Sequence, residues 1–175
     1  VWLDNFEDNA NKWTAFTTGV GGSFALSAAA CLNGGKSGLL TTGDTASGTN
    51  YITRHLNIPV LTRLGFEFSF SLGAGLGLVG LEMRPRNGTT LYLAQLRYYP
   101  QTDLLQLEHA GGTVTLNTLN LLGGITYFHT WKLVIDFSTA KYIRAILGNK
   151  EYDISAYSLK ASADTGAPEM NVTVQ

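Results

Sequence analysis

Residues 131–154, WKLVIDFSTAKYIRAILGNKEYDI, carry the reading that decides the fold. Side chains of a strand alternate between faces, so Trp131, Leu133, Ile135 and Phe137 point one way while Lys132, Val134 and Asp136 point the other. The next run alternates too, with Ile143, Ala145 and Leu147 on one side and Tyr142, Arg144 and Ile146 opposite. A three-residue loop of Ser138, Thr139 and Ala140 sets Phe137 against Lys141 and gathers Trp131, Leu133, Ile135, Ile143, Ala145 and Leu147 on one buried face. A four-residue loop slips the pairing by one and drops Arg144 among Leu133 and Ile135, which a single buried face forbids. Gly148-Asn149 then reads as a two-residue hairpin turn, because positive φ costs little for Gly and is tolerated by Asn. Tyr152 and Ile154 join the core face, and Arg144 lies opposite Asp153 on a wet face.

Outward from this stretch, turn signals recur at Gly21-Gly22, Asn33-Gly34-Gly35, Gly43-Asp44, Asn87-Gly88, Gly111-Gly112 and Gly123-Gly124. Short strand-like runs between them are the signature of an all-β sandwich or barrel. Leu64, Phe66, Phe68, Phe70 and Leu72 alternate most cleanly and predict a central strand. Val79, Leu81 and Met83 alternate with Glu82 and Arg84, while Ala94, Leu96 and Tyr98 alternate with Gln95, Arg97 and Tyr99; Asn87-Gly88 between them predicts a hairpin. Leu105 and Leu107 alternate with Gln106 and Glu108. Short helices are expected only at 27–32 and 154–159, and residues 169–175 read as a last strand returning beside the first. The expectation is one antiparallel two-sheet jelly-roll β-sandwich over residues 1–175.

Composition excludes several classes of function. Charged residues are 14% of the chain against roughly 25% in average soluble proteins. Such a Gly- and Thr-rich, charge-poor chain is expected outside cells or on the surface of a particle. The net charge is −1 and the Lys and Arg residues are scattered, so nothing tracks a phosphate backbone and nucleic acid is not an expected partner. Cys31 stands alone, so no intrachain disulfide forms, and it reads as a small buried hydrophobe. His55, His109 and His129 are spaced without zinc-site pattern. No run of 18 apolar residues occurs, so membrane insertion is not expected. Val1 opens on a domain-like segment without a basic leader, which suggests a mature or excised piece.

Asp4-Asn5-Phe6-Glu7-Asp8, followed by Lys12-Trp13, resembles the opening of jelly-roll carbohydrate-binding modules, and Gly35-Lys36-Ser37-Gly38-Leu39-Leu40 is similar to the strand that follows there. Residues 130–137, with Ala140-Lys141-Tyr142 and Gly148-Asn149-Lys150-Glu151-Tyr152, resemble the laminin-G-like, concanavalin A-like group. Both resemblances imply a jelly roll. In such modules an early Glu holds structural calcium together with an Asp near the last strand, which implies Glu7 and Asp164 here. The family's usual acid in the final strand is Asn171 in this chain, and the nearby acids and amides are also ordinary turn formers. No cofactor is required by this reading.

The wet face offers Glu67, Glu82 and Glu108 as carboxylates. A glycosidase needs a protonated and an ionised acid flanking one bond. The Glu-x-Asp-x-Glu pattern of laminarinase-like jelly rolls is absent, and no Ser sits in a Gly-x-Ser-x-Gly elbow, so catalysis ranks last. Binding uses the same face differently: Glu67, Glu82, Arg84, Gln95, Arg97, Tyr99 and Glu108 offer planar hydrogen-bonding groups for sugar hydroxyls and one aromatic ring for a sugar's C–H side. The plainer reading of the same residues is a solubilising face with Glu82 and Arg97 as a cross-strand pair. Trp2, Trp13 and Trp131 read as core or rim packing. Asn87-Gly88-Thr89 and Asn171-Val172-Thr173 match the N-glycosylation pattern.

A non-catalytic, lectin-like module for a glycan or polysaccharide is therefore the leading expectation. The alternative is a structural or assembly domain of a virion or cell-surface particle, working as a homo-oligomer or against neighbouring domains. Leu91, Leu93, Val134 and Ile146 on nominally wet faces, and the apolar loop 73–78, favour that alternative.

Overall fold

A computed structural model describes residues 4–7, 12–17, 21–42, 49–56 and 62–175. Trp2, Asp8, Asn9 and the Gly43-Asp44 turn lie outside the described residues. The chain forms an all-β, antiparallel jelly-roll sandwich. Its strands are β1 (Thr14–Thr17), β2 (Ser23–Ser27), β3 (Ser37–Thr41), β4 (Asn50–Leu56), β5 (Arg63–Leu72), β6 (Val79–Arg86) and β7 (Thr90–Tyr99). There follow β8 (Leu104–His109), β9 (Gly112–Thr118), β10 (Gly124–Asp136), β11 (Lys141–Leu147), β12 (Lys150–Asp153), β13 (Lys160–Ala163) and β14 (Glu169–Val174). The larger sheet runs β1-β4-β14-β6-β7-β8-β9, with β13 also on β7; the smaller runs β12-β11-β10-β5. β2 and β3 form a separate two-stranded sheet.

One apolar cluster joins the two main sheets. Leu81, Met83, Leu96, Leu105 and Leu107 of the larger sheet and Trp131, Leu133 and Ile135 of the smaller are fully buried. Phe70 sets an edge against Trp131 at 4.9 Å, and Tyr98 approaches the same indole at 6.5 Å. Alternation explains this arrangement, since each inward apolar residue on β6, β7, β8 and β10 is followed by an outward one.

The β10–β11 register holds as expected from Trp131↔Leu147 to Val134↔Arg144, then shifts so that Ile135 pairs with Tyr142 and Asp136 with Lys141. The loop therefore has four residues, 137–140. Asp136 explains it: its Oδ1 accepts hydrogen bonds from Ser138 Oγ at 2.6 Å and from the backbone N–H groups of Ser138 and Thr139, so the turn starts one residue early. Ala140 closes the loop with φ 53°. Ile143 is the extra residue of a bulge, which absorbs the slip and keeps Arg144 outside. Tyr142, expected on the wet face, is consequently fully buried, and Ile143 leaves the core.

Other expectations are corrected. The segment 64–72 forms β5 at the end of its sheet, pairing only with β10 among the described residues, so it is not central. Its rings Phe66, Phe68 and Phe70 are half-buried, as an edge position dictates. The last strand pairs with β4 and β6 rather than with β1, which lies beyond β4. Ser27 ends β2 and the chain then bends through 28–32, and 154–159 is a turn whose Ser158 bridges to Lys141; among the described residues there is no helix, and so none long and apolar enough to cross a membrane. Gly148-Asn149 does turn β11 into β12, and Arg144 pairs in register with Asp153, but its ion pair goes to Glu151 at 3.3 Å while Asp153 caps Ser155. Cys31 is half-buried and unpaired in any disulfide.

Candidate functional site

Register aligns the outward residues of the larger sheet into cross-strand rows. Thr53 on β4 lies opposite Thr173, Thr173 opposite Glu82, Glu82 opposite Gln95, Gln95 opposite Glu108, and Glu108 opposite Thr113. This row faces away from the core, yet Glu82, Gln95 and Glu108 are 8%, 3% and 9% exposed. They bury one another. Gln95 Nε2 donates to Glu82 Oε2 at 3.0 Å, Arg84 Nε pairs with Glu82 Oε1, and Arg97 Nη2 donates to Gln95 Oε1 at 2.5 Å. Glu108 accepts from Thr113 Oγ1 at 2.6 Å and from Lys160 Nζ, with Arg97 Nη1 3.8 Å away. A buried carboxylate needs such donors, because desolvation without them outweighs anything else it contributes. The Lys160 ammonium and the Thr113 hydroxyl hold the Glu108 carboxyl below its ordinary range, so it stays an anion.

Tyr142 supports the row from the core side. Its hydroxyl accepts the Gln95 N–H at 2.9 Å and donates to the Glu108 carbonyl at 2.5 Å, bridging β7 and β8 where their pairing ends. Burial pushes the phenol pKa far up, which keeps the bridging proton in place. Beyond this point β13 replaces β8 along β7, with Lys160 paired to Leu93 and Ser162 to Leu91. The switch of strands brings Lys160 to Glu108.

Five of the expected site residues thus converge: Glu82, Arg84, Gln95, Arg97 and Glu108. The expected Glu82–Arg97 pair is replaced by Glu82–Arg84 and Arg97–Glu108, because Gly80, not Glu82, lies opposite Arg97. Tyr99 shares the face two residues beyond Arg97, opposite Leu104 at the end of β7. Glu67 does not belong: it lies on the smaller sheet opposite Lys132, which it contacts at 3.3 Å. The strands are not the wet ridge that alternation suggested, since the polar groups shield each other. Sequence reasoning missed Lys160, Thr113 and Tyr142. The four residues Lys160-Ala161-Ser162-Ala163 of β13 show no apolar periodicity, so that stretch reads as loop.

The residues implied for calcium have other partners. Glu7 Oε1 accepts the N–H groups of Gly35 and Lys36 at 2.7 and 2.8 Å, and Asp164 is bound by Arg86 at 3.1 Å and by the Gly166 N–H at 2.7 Å. These oxygens face proton donors, a set that does not fit a shared cation. Trp13 packs on Phe6 and donates its indole N–H to Asp4, as a rim residue would. Of the two glycosylation patterns, Asn171 sits within β14 with its amide on Glu169, whereas Asn87 lies exposed in the β6–β7 turn and caps Thr89 and Thr90.

An open groove of about 600 Å³ borders the polar row, floored by Leu91, Leu93, Leu159 and Ala161 and flanked by Arg84 and Lys160. Neither a known protein-family model nor a curated protein matches the chain. A solved carbohydrate-binding module, CBM66 from Bacillus subtilis, is similar at 15% identity and a TM-score of 0.46, over 93% of this chain and 90% of that one. At that identity and TM-score the likeness assigns this chain neither a family nor a ligand.

Proposed function

We propose that the outer face of the larger sheet binds a glycan and does no chemistry on it, as a lectin-like module. The observation that supports this reading is the fixed polar row: Glu82, Gln95, Glu108, Arg84, Arg97 and Lys160 hold one another in place beside an open groove. Arg84, Arg97 and Lys160, the partly exposed members of the row, offer donors to sugar hydroxyls, and side chains already ordered lose little entropy on binding. Glu108, held as an anion by Lys160, is unsuited to donate the proton that glycoside cleavage needs. The proposal extends to an extracellular or particle-surface setting, and to the concanavalin A-like, laminin-G-like group that residues 130–152 resemble.

A glycan array probed with wild type and Arg97→Ala tests it. Retention of at least one glycan class by wild type and its loss in the variant are expected; no retention of any glycan refutes the reading. A second reading, an assembly domain, is favoured by Leu122, Ile125 and Tyr127, which are 61%, 53% and 53% exposed where β10 begins. Sedimentation that shows a concentration-dependent oligomer abolished by Tyr127→Lys, together with an empty array, would put that reading first.

A further inference from the structure

The groove beside the polar row differs from an ordinary sugar cleft in its charge. Its lining holds two cations, Arg84 and Lys160, and no carboxylate. The groove on the outer face of the smaller sheet instead sets Arg63 and Arg144 against Glu151 and Asp153. Across the adjoining cluster, three cations (Arg84, Arg97 and Lys160) stand against two anions (Glu82 and Glu108), an excess of one positive charge.

Neither flanking cation is spent. Glu82 takes the Nε of Arg84, and the two terminal amino groups of that guanidinium make no other hydrogen bond among the described residues. Lys160 gives one of its three ammonium protons to Glu108. The two side chains are 48% and 42% exposed. Register places them on either side of one leucine. Lys160 pairs with Leu93, and the β6–β7 register of Met83↔Ala94 and Arg86↔Leu91 puts Arg84 beside the same residue. Two interstrand spacings separate the cations' backbones by about 10 Å, with Leu93 and Leu91 as the apolar floor between them.

We infer that this groove takes a uronic acid unit of an anionic polysaccharide. The carboxylate of the sugar acid lies between the Arg84 fork and the Lys160 ammonium, and the C–H face of the ring rests on Leu93 and Leu91. This rests on the glycan-binding reading and gives it a ligand class. Buried Glu82 and Glu108 hold the two cations in position, and a repeating acid offers the chain successive chances to engage them.

Titration calorimetry with polygalacturonate, dextran and poly-glutamate as probes tests the inference. Wild type is expected to bind polygalacturonate in a salt-sensitive manner and dextran far more weakly. Arg84→Gln and Lys160→Gln each weaken binding by about tenfold, the loss of one charge-assisted hydrogen bond. Leu93→Asp abolishes it by placing a like charge on the floor, and Arg144→Gln on the opposite face leaves it unchanged; because the two Gln variants also take donors from buried Glu82 and Glu108, each is titrated well below its own melting temperature, so that unfolding is not the cause. Equal affinity for dextran with no effect of Arg84→Gln overturns the uronate assignment and leaves glycan binding standing. Poly-glutamate bound as tightly as polygalacturonate overturns it in favour of acidic peptide, and binding of no polysaccharide overturns both readings.

Discussion

The outer faces of the two sheets carry the same kinds of residue and use them in opposite ways. On the larger sheet, Glu82, Gln95 and Glu108 form a row that is almost wholly withdrawn from water. On the smaller sheet, Lys132–Glu67 and Arg144–Glu151 are pairs at 3.3 Å whose side chains are each 38–55% exposed. The difference lies in the neighbours. Glu108 is met by Thr113 of β9, Lys160 of β13 and Arg97 of β7, over a tyrosine hydroxyl from the opposite sheet, and Glu82 by Gln95 of β7 and Arg84 of its own strand, whereas each pair on the smaller sheet stands alone between adjacent strands. A charged residue on a sheet is therefore part of a site only when cross-strand register stacks its partners beside it.

The comparison breaks first, if it is wrong, at Glu108. Glu108→Gln is expected to cost about 2–3 kcal/mol in urea unfolding at neutral pH, because Lys160 and Arg97 lose a mostly buried anion. The pH dependence has a fixed sign. A carboxyl whose folded pKa lies below its ordinary 4.5 contributes stability above that value and loses it as pH falls through the folded pKa, so the gap between wild type and Glu108→Gln narrows below about pH 4.5. A gap unchanged into strong acid would show that the charge is not what matters. Tyr142→Phe comes next, at about 2 kcal/mol, since it leaves the Gln95 N–H and the Glu108 carbonyl without their buried bridge. The smallest effect sharpens the contrast: a double-mutant cycle on Glu67 and Lys132 is expected to give a coupling of about 0.5 kcal/mol or less. A coupling as large as that of Glu108 with Lys160 would erase the distinction between the faces.

Much of this architecture is legible in the sequence because strand periodicity is a local signal. Trp131, Leu133, Ala145 and Leu147 announce their face, and Gly148-Asn149 announces its turn. The bulge at Ile143 is not legible, since the Asp136 side chain that starts the loop early competes with a register argument that admits no extra residue. The edge position of β5 is equally hidden: clean alternation describes two faces and says nothing about how many neighbours a strand has. For the site, Glu82, Arg84, Gln95, Arg97 and Glu108 were visible as outward polar residues on adjacent strands. Lys160 was not, because it arrives from a segment 52 residues beyond Glu108, through a strand too short to show a period. Burial of the row was hidden for the same reason, as it depends on Lys160 and Tyr142.

Backbone amide shifts recorded by NMR while polygalacturonate is titrated into the protein test the central claim most directly. Shifts concentrated at Leu91, Leu93, Gln95, Arg97, Lys160 and Ala161 are expected, with Val134, Arg144 and Glu151 unmoved. Shifts centred on the smaller sheet, or at Leu122, Ile125 and Tyr127, would contradict it.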